Sequence, residues 1–145
     1  MLRQFVLSLS SGLLACGLTA CQSNNETVKL KKEPKTISIS QSKGYNGFYD
    51  DYFYSSQDQK VTETIERAIE SAAPTNKNVM ILRPMYDIYI EYKDSSHKEM
   101  HLTLTDRGEQ GYLSTNNSNK ETPTKFYKLS KQDLKNITDL IGDKA

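Results

Sequence analysis

Three polar residues spaced two apart, His97, Glu99 and His101, are the best placed for chemistry in the body of the chain. Alternate residues of a β-strand project from one face, so two imidazoles and a carboxylate would line the same side. Those donors suit zinc or copper. Same-face Cα atoms on a flat strand are about 6.5–7 Å apart, so a first-row ion would need the side chains to lean together or a cross-strand ligand. Asp87, Tyr89 and Glu91 would supply one if their strand presents the same face. An ordinary solvated hairpin face contains such residues without any ligand, and that reading is preferred. Metal binding through His97, Glu99 and His101 is therefore the alternative; no metal ligand, catalytic residue or cofactor is assigned.

Covalent chemistry points elsewhere, to Cys21. Leu18-Thr19-Ala20-Cys21 has the layout of a bacterial lipobox, a hydrophobic residue and two small ones before a thiol that takes a diacylglyceryl group. Met1 to Gln4 supplies a positive start through Arg3, and residues 5–20 are almost entirely apolar or small. That run is shorter than the roughly 20 residues a spanning helix needs, and its small-residue end suits a peptidase, so 1–20 reads as a lipoprotein signal peptide. Leu13-Leu14-Ala15-Cys16 is a rival, but Leu14 is bulkier than such a site favours. Two acyl chains at about 0.8 kcal/mol per buried methylene would hold the protein on the outer face of the cell membrane.

The aromatic run from Tyr45 to Tyr54, which includes Phe48, Tyr49, Tyr52 and Phe53 around Asp50 and Asp51, is either the closed end of a core or a recognition surface. There is no glycine-rich phosphate loop, no His-Glu-x-x-His and no Gly-x-Ser-x-Gly. The whole chain has 19 basic and 18 acidic residues; loss of Arg3 with the leader leaves 18 of each. That balance gives no electrostatic reason to expect nucleic acid as a partner. With Cys16 removed and Cys21 acylated, no thiol remains for a disulfide or a thiolate metal site.

These residues must be positioned by one domain, residues 36–145, behind a polar tether that begins with Cys21 and runs to residue 35. Ile37 and Ile39 alternate with Ser38 and Ser40 as a half-buried strand. Val61, Ile65, Ala68, Ile69 and Ala72 recur at helical spacing, with Ser56 and Gln59 set as a capping box and Pro74 as the stop. Further strands are expected at 79–82, 86–93, 97–105, 111–115 and 124–129. Tyr86, Ile88, Ile90 and Tyr92 fall on one side of a hairpin, opposite Met100, Leu102 and Leu104 on the returning strand. The other hairpin face is expected to be wet, with a polar loop over 116–123. A final helix is signalled by Ser130 with Asp133 and by Leu134, Ile137, Leu140 and Ile141. The expectation is an α+β domain, an antiparallel sheet of about five strands with two helices on one face.

The order of these elements resembles the YhfM-like domain of small lipoproteins from Bacillus and its relatives. The resemblance is carried by Ile37-Ser38-Ile39-Ser40, Ala68-Ile69, Pro84-Met85-Tyr86-Asp87, His101-Leu102-Thr103-Leu104 and Tyr127-Lys128-Leu129-Ser130. It implies a Gram-positive, surface-anchored lipoprotein and brings no catalytic or binding residues with it. The expected function is a membrane-anchored module that binds an envelope protein or cell-wall ligand rather than turning over a substrate.

Overall fold

The computed structural model describes residues 26–31, 33–76, 79, 82–105, 107–115, 123 and 125–142. Along the chain run β1 (Pro34–Gln41), β2 (Tyr52–Ser56), α1 (Gln59–Ser71), β3 (Ala73–Thr75), β4 (Tyr86–Tyr92), β5 (His97–Leu104), β6 (Gly111–Thr115), β7 (Lys125–Lys128) and α2 (Lys131–Gly142). The strands form one sheet in the order β2-β1-β4-β5-β6-β7-β3, every pairing antiparallel. The α+β class and the two helices on one face are as expected, but the sheet has seven strands rather than about five. The two strands not anticipated are β2, which begins within the aromatic run, and β3, which contains Pro74. Lacking an amide hydrogen, Pro74 ends the helix at Ser71, and it is tolerated in the ladder because β3 is an edge.

Hydrophobic alternation sets the helix-facing side. Ile39 pairs with Ile88, Ile37 with Ile90, Ile88 with Met100 and Leu102 with Leu113. All of these side chains are fully buried. Ile65, Ala68 and Ile69 of α1 and Leu134, Ile137 and Ile141 of α2 close the layer. Each large aliphatic side chain buried in this way contributes about 1.5–3 kcal/mol. Where β6 passes beneath α2 the packing is close, since a Cβ on Gly111 would lie 2.6 Å from Leu134 Cδ1 and that side chain would have to move.

The caps are partly as read. Ser130 Oγ accepts from Asp133 N at 3.1 Å and donates to Asp133 Oδ2 at 2.6 Å, a reciprocal cap for α2. For α1 the cap is Asp58 rather than Ser56, and it accepts from Lys60 N and Val61 N at 2.9 and 3.1 Å. Ser56 instead receives Asp58 N at 3.1 Å, which orients the capping residue.

Two segments depart from expectation. Val79 and Leu82 belong to no strand; Leu82 N reaches Val79 O at 2.9 Å in a turn, while 80 and 81 lie outside the described residues. A four-residue apolar run without alternation is compatible with burial of any shape, and Val79 is indeed buried. The tether also ends early. Val28 is 5% exposed within the main core, Leu30 N donates to Glu70 Oε1 at 3.3 Å and Lys98 donates to the Lys29 carbonyl at 3.2 Å. Val28 and Leu30 therefore pin residues 26–31 to the domain, and burial beneath them holds the Lys98 ammonium below the usual lysine pKa.

Candidate functional site

The face of the sheet turned away from the helices carries Ser38, Ser40, Asp87, Tyr89, Glu91, His97, Glu99, His101, Thr103, Tyr112 and Ser114, as the strand period requires. Its register settles the conditional left by the sequence. Asp87 pairs with His101, Tyr89 with Glu99 and Glu91 with His97, so both hairpin strands show these groups to the same side.

That face is not uniformly wet. Residues 42–51, between β1 and β2, fold back across one end of it. The Phe48 ring stacks on the His101 imidazole with centroids 4.2 Å apart and planes 9° from parallel, and Tyr45 meets the same imidazole edge-on at 5.4 Å. The Tyr45 hydroxyl lies 3.0 Å from Leu82 O and 3.1 Å from Thr103 Oγ1. Burial raises its pKa, and the Thr103 bond offsets part of that. Val79, Tyr112 and Phe126 complete a second, smaller apolar cluster with Tyr45 and Leu82. His101, Thr103 and Ser114 are 0% exposed and Asp87 is 2% exposed. The solvated hairpin face expected from the sequence is thus wrong for this end. Alternation sets which side a residue faces but is silent about a loop that covers that side.

Beneath the cover, His101 Nδ1 lies 2.8 Å from Asp87 Oδ1. A carboxylate oxygen at that distance engages Nδ1, which leaves Nε2 as the ring nitrogen outside that bond. Within this patch three buried polar atoms have no hydrogen-bond partner among the described residues: Asp87 Oδ2, His101 Nε2 and Ser114 Oγ. Each such atom costs roughly 1–3 kcal/mol. They stand on one transverse line through β4, β5 and β6, because His101 is the register partner of both Asp87 and Ser114.

His97 and His101 do not converge. Four residues along a strand separate them by about 13 Å. His101 is committed to Asp87 and sealed, while His97 is exposed and stacks on Tyr89 at 5.1 Å and 21°. Glu91 is engaged by Lys35 at 3.2 Å. Among the described residues, no three His, Cys, Asp or Glu side chains are placed to hold one ion. The His97, Glu99 and His101 arrangement therefore does not fit zinc or copper.

The aromatic run is divided between the two faces rather than being core or surface alone. Tyr54 is buried in the main core and Phe53 packs on Tyr86 at 6.0 Å. Tyr52 turns to the second face, 38% exposed, with its ring 5.8 Å from Tyr89. Tyr52, Tyr89 and His97 form a continuous aromatic rail along the uncovered end. The Tyr52 hydroxyl is held above the usual tyrosine pKa, first by burial and then by Tyr89, Asp50, Glu99 and Asp87.

Cys21, the leader and the loop 116–122 lie outside the described residues. Among the described residues no helix is long and apolar enough to cross a membrane. Ser114 was the functional candidate that the sequence did not single out, while Asp87 was named only as a cross-strand ligand for the histidines. The only local signal for Ser114 was a polar residue facing away from the apolar side of its strand. No protein-family description and no curated protein matches the chain. Among solved structures the fold is similar to that of a thioesterase-like protein from Clostridium sporogenes, with a TM-score of 0.51 and 14% identity over 75% of this chain and 94% of that one. At that identity the likeness extends to the fold alone.

Proposed function

We propose that this chain is a lipid-anchored protein of the outer face of the cell membrane that binds a cationic group of an envelope component on the open end of its second sheet face. The anchor rests on the Leu18-Thr19-Ala20-Cys21 pattern, and the YhfM-like resemblance supports the same address. The observation that carries the binding reading is the rail of Tyr52, Tyr89 and His97 set among Asp50 and Glu99. Aromatic faces attract ammonium and guanidinium groups, and carboxylates at the margin add to that attraction. Because Val28 is already part of the core, the seven residues from Cys21 span at most about 25 Å, so an anchored domain would work close to the bilayer.

A labelled oligo-arginine peptide titrated into the full chain in mild detergent tests the binding surface. Each exposed cation–π contact contributes about 0.5–1 kcal/mol. The Tyr52→Ser/Tyr89→Ser double variant should therefore bind about 5- to 30-fold more weakly, and binding should weaken with salt. Equal affinity for the two proteins would remove the rail from the proposal. The anchor has its own test: Cys21→Ser should move the protein from the membrane fraction to the soluble one, and firm retention would refute lipidation.

A further inference from the structure

The covered end of the second face carries a different arrangement, one the rail does not use. His101 Nδ1 is turned toward β4 by Asp87, and β6 flanks β5 on the other side; Nε2 and the Ser114 hydroxyl are not hydrogen-bonded to each other in this covered conformation. The register partner of His101 on β6 is Ser114, and directly paired residues have Cβ atoms about 4.5–5.5 Å apart. The two unmatched atoms are complementary: among the described residues Nε2 lacks a donor, and the Ser114 hydroxyl lacks an acceptor. Buried groups left unpaired in this way are uncommon in folded proteins.

We propose that Asp87, His101 and Ser114 form a nucleophile relay for hydrolysis of small apolar acyl esters, covered in this conformation by a lid made of residues 43–48. Asp87 holds the imidazole tautomer, His101 Nε2 is the general base and Ser114 Oγ is the nucleophile. As the Ser114 Oγ bond to the acyl carbon forms, its proton passes to His101 Nε2. The ester C–O bond then breaks, and that proton leaves with the departing alcohol. Water gives a proton to Nε2 and its oxygen to the acyl carbon; the acid departs and the proton returns to Ser114. The substrate class follows from the walls, since Tyr45, Phe48 and Phe126 are aromatic. Gly44 and Gly47, at φ +128° and +117°, give the segment that carries Tyr45 and leads into Phe48 backbone conformations that other residues rarely adopt. This activity goes beyond the binding proposal and replaces the expectation that the chain turns over no substrate.

The test is labelling of the full chain in mild detergent with a fluorophosphonate, which loses fluoride as it bonds to an activated serine. Intact mass and peptide mapping locate the adduct. Phe48→Ala should label at Ser114 about tenfold faster than wild type and should release p-nitrophenol from p-nitrophenyl butyrate. Adding Ser114→Ala should abolish both signals. Adding His101→Gln should slow labelling by at least about 100-fold, the loss expected for a general base. If Phe48→Ala unfolds, Phe48→Leu opens the stack while keeping bulk and carries the same expectation. A folded lid variant, cooperative in thermal melting, whose Ser114 stays unlabelled would overturn the proposal, as would labelling that His101→Gln leaves unchanged. Because the rail residues are untouched in these variants, either result leaves the peptide titration with Tyr52→Ser/Tyr89→Ser to decide the binding proposal separately.

Discussion

Replacing His101 with Leu should be far more damaging than replacing both members of its pair. In the His101→Leu protein the Asp87 carboxyl, 2% exposed, loses its hydrogen-bonded partner 2.8 Å away and gains no route to water while Phe48 and Tyr45 stay in place. Breaking a buried pair on one side costs about 3–5 kcal/mol. A domain of this size holds about 5–15 kcal/mol in all, so the variant should lose about a fifth or more of its stability. In Asp87→Leu/His101→Leu the whole buried pair and two of the three unpaired atoms disappear together, and apolar replacements of buried pairs are often close to neutral. The double variant is expected within about 1.5 kcal/mol of wild type, the residue reflecting the lost ring stacking on Phe48. The coupling energy of the cycle should then exceed about 2 kcal/mol. Equilibrium urea unfolding at pH 7 reads this directly, because an m-value of about 1–3 kcal/mol per molar converts a 3–5 kcal/mol loss into a midpoint shift above about 1 M. His97→Leu is the internal control: its ring is exposed, and its cost should stay within about 0.5 kcal/mol. A His101→Leu loss below about 1 kcal/mol would refute the reasoning, since water would then be reaching Asp87 and the 42–51 loop would not seal the site.

Gly111→Ala should cost about 1 kcal/mol in the same assay, because the new Cβ meets Leu134 Cδ1 at 2.6 Å and Leu129 Cδ1 at 3.3 Å and these side chains must turn aside. Glu66→Gln should stabilise the protein at pH 7 by a few tenths of a kcal/mol. Burial, Glu70 and Glu63 raise the Glu66 pKa in the folded state, so its proton-linked stability is present below the unfolded value of 4.5 and is lost as pH rises through the folded one. The gain from Glu66→Gln should accordingly vanish when unfolding is measured near pH 3. Val28→Ala should lower stability by about 1.5 kcal/mol, two buried methyl groups at about 0.8 kcal/mol each, whereas a change in a free tether would leave the urea midpoint unmoved.

Much of the fold was legible because its determinants are local. The two-residue period of Tyr86, Ile88, Ile90 and Tyr92, answered by Met100 and Leu102, placed the helix-facing side correctly. The 3.6-residue stripe of Leu134, Ile137 and Ile141, with Ser130 reaching Asp133, located α2. The same period put His97, Glu99 and His101 on one side, which is where they are. Edge strands carry weaker signals. β2 was hidden because Phe53 and Tyr54 both reach the main core across a register shift near Ser40, and β3 is three residues long with Pro74 at its centre.

The sequence by itself determined that no cysteine follows Cys21, the α+β class and the phase of each long strand. Periodicity and composition are properties of neighbouring residues and need no knowledge of what lies across the sheet. Only the tertiary structure decided that Asp87, His101 and Ser114 share one line, that His97 stands about 13 Å from His101, and that Phe48 closes over the imidazole. Those relations depend on the registers of β4, β5 and β6 and on a loop that returns over 50 residues earlier in the chain than the histidine it covers. Register is chosen by burying the opposite face, through Ile88 on Met100 and Leu102 on Leu113, so the chemistry of the second face is arranged by contacts in which its own residues take no part.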